Sequence, residues 1–111
     1  MNQPGQSRRW VHVLAIFFAG VFLANAIPHF TNGVSGRPFP SPFASPPGQG
    51  ESSSVINVSW GMFNLVVFYV LTFRVGKCDF RRIDHALVFA AGWFLTALGL
   101  AAGFGRVYGG S

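Results

Sequence analysis

Acidic residues are scarce in this chain: Glu51, Asp79 and Asp84 are the only three among 111 residues. None lies in a long apolar run, so paired carboxylates for acid–base work are excluded there. The single cysteine, Cys78, rules out an intrachain disulfide and a Cys-rich metal site. Lys77 and Arg81 beside it have the sign that lowers a thiol pKa, although an ordinary loop thiol is the expectation. GxSxG, Walker, HExxH and CxxC patterns are all missing. His12 and His29 would stand about 25 Å apart on one helix by rise alone. His85 with Asp84 makes only a weak partner for His12, so no metal ligand, cofactor or catalytic residue is assigned.

Charge of either sign is also absent from three runs, Val11–Ile27, Val55–Phe73 and Ala86–Phe104. Each matches the length that crosses a hydrocarbon core of about 30 Å at about 1.5 Å per residue. The fold expected is an all-α membrane protein, a three-helix transmembrane bundle forming one domain over 1–111 with a Pro/Phe-rich extracytoplasmic loop. Spans fall at about residues 10–27, 55–73 and 86–104, with an outer loop at 28–54 and a cytoplasmic loop at 74–85. Membrane lipid is therefore an expected partner.

The net charge of +5 does not form a solvated basic face with interleaved aromatics, so no nucleic-acid partner is expected. The basic residues instead flank the apolar runs. Arg8, Arg9, Arg74, Lys77, Arg81 and Arg82 fall on one side of a three-span thread, and only Arg37 and Arg106 on the other. Because cytoplasmic loops retain Lys and Arg, this asymmetry predicts a multi-pass protein of the cell (inner) membrane. The N-terminus is then cytoplasmic and the C-terminus extracytoplasmic, with Trp10 and Tyr108 near opposite interfaces. A second reading of the first run stays open. Basic Met1–Arg9, apolar Val11–Leu23 and Ala24-Asn25-Ala26 also suit a cleavable signal peptide, which would leave two spans.

Local signals set the expected boundaries. Residues 1–9 are polar and read as a frayed tail. The first helix is expected to stop at Pro28, which lacks an amide hydrogen. Six prolines and four glycines over 28–54 argue against a regular helix or a central strand there. Ser52–Ser54 offers a cap for the second helix and Asp84 one for the third.

Within the spans, polar and small residues mark candidate contacts. Asn57, Gly61 and Asn64 share one face of the second helix, with Ser59 and Trp60 close by. Asn57 reads as near the interface and hydrated, whereas Asn64 is deeper and suited to interhelical hydrogen bonding. His29, with Asn25 one turn earlier, joins Asn57, Trp60 and Asn64 in a candidate ligand-binding pocket facing outward. Gly92, Thr96, Gly99 and Gly103 form a small-residue stripe on the third helix, a packing seam within one chain or between copies. Phe39 and Phe43 in the loop favour a lid or strap over a free linker, since exposed Phe gains nothing in water.

Pro28-His29-Phe30, the stretch FPSPFASPPG at 39–48, and Asn57 with Trp60-Gly61 and Asn64 resemble a pattern in small uncharacterised bacterial multi-pass membrane proteins. The resemblance covers roughly residues 24–64 and implies no activity or ligand. Small multidrug exporters are similar in length, but have a fourth span and a membrane-embedded Glu that this chain lacks. The reading favoured is an accessory or interaction subunit that binds a membrane-protein partner, a lipid or a second copy of itself. An oligomeric small-solute transporter or pore, lined by Asn57 and Asn64, and a membrane enzyme using His29 stay open beside it.

Overall fold

The computed structural model describes residues 4–109. It is mostly helical: α1 spans Pro4–Val34, α2 Ser54–Tyr69 and α3 Ile83–Val107, and a π-helical turn, Val70–Val75, prolongs α2. Three stretches, Arg8–Val34, Ser54–Val75 and Ile83–Val107, are long and apolar enough to cross a membrane. The molecule measures 47 × 28 × 27 Å, its long axis set by the 31 residues of α1.

Helix α1 corrects two expectations. It begins at Pro4 rather than after residue 9, proline being well suited to a first helical turn. It also continues through Pro28 to Val34, so the connecting loop starts at residue 35 and not at 28. Proline removes the amide that would have bonded the Ala24 carbonyl, yet the helix continues, and the turn that follows carries side-chain bonds of its own. Thr31 Oγ1 donates to the Ile27 carbonyl at 2.6 Å, and Asn32 Nδ2 to the Pro28 carbonyl at 2.7 Å.

The loop folds into a short antiparallel pair, β1 (Phe39–Pro40) and β2 (Glu51–Ser52), with Phe39 opposite Ser52. A pair of two residues per strand is compatible with the prolines, because so few ladder bonds are required. Ser53 caps α2 by accepting the Ile56 amide hydrogen at 3.2 Å, as the serine run implied. Asp84, in contrast, is not the cap of α3. Arg82 occupies that position, while Asp84 lies in the first turn and accepts the His85 amide hydrogen at 3.0 Å. Its negative charge still suits a helix N-terminus.

α1 is the central helix and packs against both α2 and α3. α2 and α3 barely meet, touching through Phe68 and Phe89 with ring centroids 6.0 Å apart. The close approaches are made by glycine. A Cβ on Gly92 would strike the Phe17 carbonyl oxygen, and one on Gly20 would strike the Phe89 carbonyl oxygen. On the α2 side, a Cβ at Gly61 would stand 2.7 Å from the Phe30 nitrogen, and one at Gly33 2.6 Å from the Val58 nitrogen. Gly76 meets Ile16 below the π-helical turn, where its amide bonds the Leu71 carbonyl at 2.8 Å.

The interior is unusual in composition. It holds Ala15, Ile16, Ala19, Ala24 and Ala26 together with His29, Ser41, Ser52, Asn57, Asn64 and Thr72. The large apolar side chains face outward, among them Leu14, Phe18, Phe63, Val66, Leu87, Phe94, Leu95 and Leu98. A water-soluble protein arranges these two sets the other way round.

Candidate functional site

The polar core of the molecule lies where α1 and α2 face each other near the loop. Asn57 is fully buried, which corrects its reading as a hydrated interfacial residue. Its amide nitrogen is surrounded by carbonyls: Phe39 at 2.9 Å, Ser53 at 3.0 Å and Ser52 at 3.2 Å. Those acceptors fix which end of the amide is the donor. The remaining oxygen, Oδ1, lies 2.8 Å from His29 Nδ1 and must accept from it. One asparagine thus ties the loop, the start of α2 and the imidazole of α1 together.

A second pair lies one turn deeper. Asn64 Nδ2 donates to the Trp60 carbonyl at 2.7 Å, which leaves Asn64 Oδ1 to accept from Asn25 Nδ2 at 3.1 Å. This is the interhelical amide contact expected of Asn64. The five residues proposed for the pocket cluster as two linked pairs with Trp60 beside them, but Asn57 and Asn64 are buried by these bonds and, unlike Asn25, His29 and Trp60, do not line the cleft. Arg37 adds a contact the sequence did not suggest, donating from Nε to Asn32 Oδ1 at 3.0 Å.

The small-residue stripe of α3 divides. Gly92 packs tightly on α1, but a Cβ on Gly99 or Gly103 would meet nothing within 4 Å. Those two do not form a seam within the chain, and Thr96, between Gly92 and Gly99, is half-buried. Above Gly92 the helices diverge, and the space between them is a cleft of about 780 Å³. Asn25 and His29 form its floor, while Trp60 of α2 and Gly99, Leu100, Gly103 and Phe104 of α3 form its walls. Loop residues 40–42 and 47–49 roof it, and Arg106 stands at its mouth. The cleft thus lies between the loop above and the Gly20–Gly92 contact below, where α2 and α3 do not pack on each other.

Aromatic rings brace this arrangement. Phe39 lies against His29 and Phe104, with centroids 5.5 and 4.6 Å apart, and Phe43 meets Trp60 edge-on at 5.2 Å. The loop is thus a packed lid, held further by the Ser41–Ser52 hydroxyl pair and by Tyr108, whose hydroxyl donates to Glu51 at 2.7 Å. Burial, followed by the hydrogen bond and charge of Glu51, pushes the Tyr108 phenol up to about 12.

The opposite end holds simpler chemistry. Asp79 pairs with Arg81, and Arg82 with Asp84, all at the surface. His85 Nδ1 accepts the Asp79 amide hydrogen at 2.9 Å. Burial, with Asp79 adjacent, pushes the Cys78 thiol up, opposite to the effect its basic neighbours suggested. No cluster of three or more His, Cys, Asp or Glu side chains suited to a metal occurs among the described residues. Compared with protein-family models, curated proteins and solved structures, the chain has no match.

Proposed function

We propose that this is a small integral membrane protein that crosses the bilayer three times, N-terminus inside, and binds a lipid in its lateral cleft. The inverted interior supports the membrane reading: small and polar residues lie within, and large apolar ones face out, where only hydrocarbon would hold them without penalty. The six basic residues sit at the α1 start and the α2–α3 turn, the ends that share one side of an up-down-up bundle. That side is the cytoplasmic one by the retention of Lys and Arg.

The cleft is the observation that carries the binding reading. It sets apolar Leu100 and Phe104 against polar Asn25 and His29, and it lies where α2 and α3 do not pack on each other. An amphipathic molecule entering from the bilayer matches that shape; a solute path from one face to the other does not. The protein acts on this reading as a lipid-binding accessory component, and the loop is the extracytoplasmic cover of the site.

Two experiments test it. Membrane-impermeant maleimide should label Cys78 in inside-out vesicles and not in intact cells; the reverse result overturns the orientation. N-terminal sequencing of the same material reports whether residues 1–26 are retained. Protein purified in a mild detergent should carry bound lipid by native mass spectrometry, and Gly103→Leu, which fills open space, should lose it. Equal lipid content in both proteins overturns the cleft as the binding site.

A further inference from the structure

We infer that the cleft selects a neutral lipid bearing hydroxyl groups, because its floor presents two hydrogen-bond acceptors that no protein group fills. This deepens the lipid-binding reading and rests on it. The argument comes from the polar groups left over once the core is satisfied. Asn57 takes the proton of His29 Nδ1, so in the neutral ring Nε2 carries a lone pair. No protein group among the described residues bonds that nitrogen. Asn25 gives one amide hydrogen to Asn64, and no protein group among the described residues donates to its own oxygen, Oδ1.

Neither atom is sealed in the protein. Among the described residues, the only buried side-chain nitrogen or oxygen without a partner is Trp60 Nε1, and that atom is covered. His29 Nε2 and Asn25 Oδ1 therefore reach the open space that their residues line. The two residues are four apart on α1, which puts them side by side, about 6 Å between Cβ atoms. Two adjacent acceptors in an apolar cleft require a ligand that brings its own donors, since an unfilled buried acceptor is costly.

Hydroxyls and ammonium groups are the donors a lipid can carry. Arg106 at the mouth decides between them. Glu51, the one carboxylate of the loop, does not line the cleft, and both salt bridges of the described residues lie at the other end of the molecule. A cationic lipid would meet Arg106 with no counter-charge to offset it. A hydroxylated neutral lipid, such as an acylglycerol, meets no such barrier. Its hydroxyls bond His29 and Asn25 while its chain lies along Leu100, Gly103 and Trp60.

Brominated probes test this, because bromine quenches nearby indole fluorescence. The protein would carry Trp10→Phe and Trp93→Phe, leaving Trp60 as its only tryptophan, in an amine-oxide detergent that has no hydroxyls. Dibromostearoyl glycerol should quench Trp60 at about one-tenth the concentration needed by the methyl ester of the same chain. His29→Phe should abolish that difference while the chain still quenches. Equal potency of ester and glyceride overturns the hydroxyl inference and leaves lipid binding standing. Tighter binding of dibromostearylamine overturns it in favour of an ammonium ligand. Absence of quenching by any probe overturns the cleft reading itself. If His29→Phe fails to fold, the comparison of probes on the parent protein still decides the question.

Discussion

The two ends of the α1–α3 pair use the same residue type to opposite effect. At the basic end, Gly20 and Gly92 let backbones touch, and a side chain on either would collide with main-chain atoms. At the loop end, Gly99 and Gly103 face open space. A glycine-rich stripe therefore marks close packing only where a partner backbone arrives. Where the helices splay, the same absence of side chains produces room. The first half is held by shape and the second by hydrogen bonds and a lid, so they should fail differently when altered.

The largest expected effect is at the packed end. Gly92→Leu places a side chain on the Phe17 carbonyl and should cost about 3 kcal/mol or more in a reversible detergent-unfolding titration. Gly99→Leu in the same assay should stay within about 0.5 kcal/mol of the parent. Equal losses at both positions would erase the contrast between the two halves.

Next comes the polar core. Asn57→Leu leaves His29 Nδ1–H without its acceptor and the Phe39 and Ser52 carbonyls without this donor, Ser53 keeping the backbone amide of residue 57, and should destabilise by about 2 kcal/mol. It should also loosen the lid, seen as faster protease cleavage within residues 41–50. A stable variant with an unchanged cleavage rate would show that the rings of Phe39 and Phe43 hold the loop alone.

A smaller effect is expected at the lid's edge. In a Tyr69→Phe background Tyr108 is the only tyrosine, and its ionisation can be followed by ultraviolet absorbance. Its midpoint should lie near 12, since burial and then Glu51 raise it. Because the folded value exceeds the ordinary one of about 10, the stabilisation from the protonated phenol is complete below that pH. It disappears as pH rises through about 12. Glu51→Gln should bring the midpoint down, and no change would remove Glu51 as a cause. The smallest effect is at Cys78, where Asp79→Asn should modestly accelerate maleimide labelling by relieving the charge that raises the thiol.

The three helices were legible because charge is missing from runs of the right length, a signal that needs no tertiary information. The boundary at Pro28 was not. A proline reads as a stop because its missing amide leaves the Ala24 carbonyl without a helical donor, yet one missing bond is tolerated in a helix held against α2 by the close Gly33–Val58 and Phe30–Gly61 approaches. Of the candidate site, the grouping of Asn25, His29, Asn57, Trp60 and Asn64 could be seen from helical spacing and position along the spans alone. Burial of Asn57 could not, because it depends on where the loop carbonyls of Phe39 and Ser52 return. The cleft was invisible for the same kind of reason: spacing along α3 reveals a stripe, not whether α1 stays beside it.

The pairing of Asn25 with Asn64 and of His29 with Asn57 has a consequence for biogenesis. These partners are separated by 39 and 28 residues of chain, so the leading helix emerges from the ribosome long before its polar groups can be met. On the membrane reading, that helix is apolar enough to enter lipid first, but its Asn25 and His29 groups stay unmatched until α2 follows. The first span is therefore complete only once its successor has inserted beside it and their amides have joined.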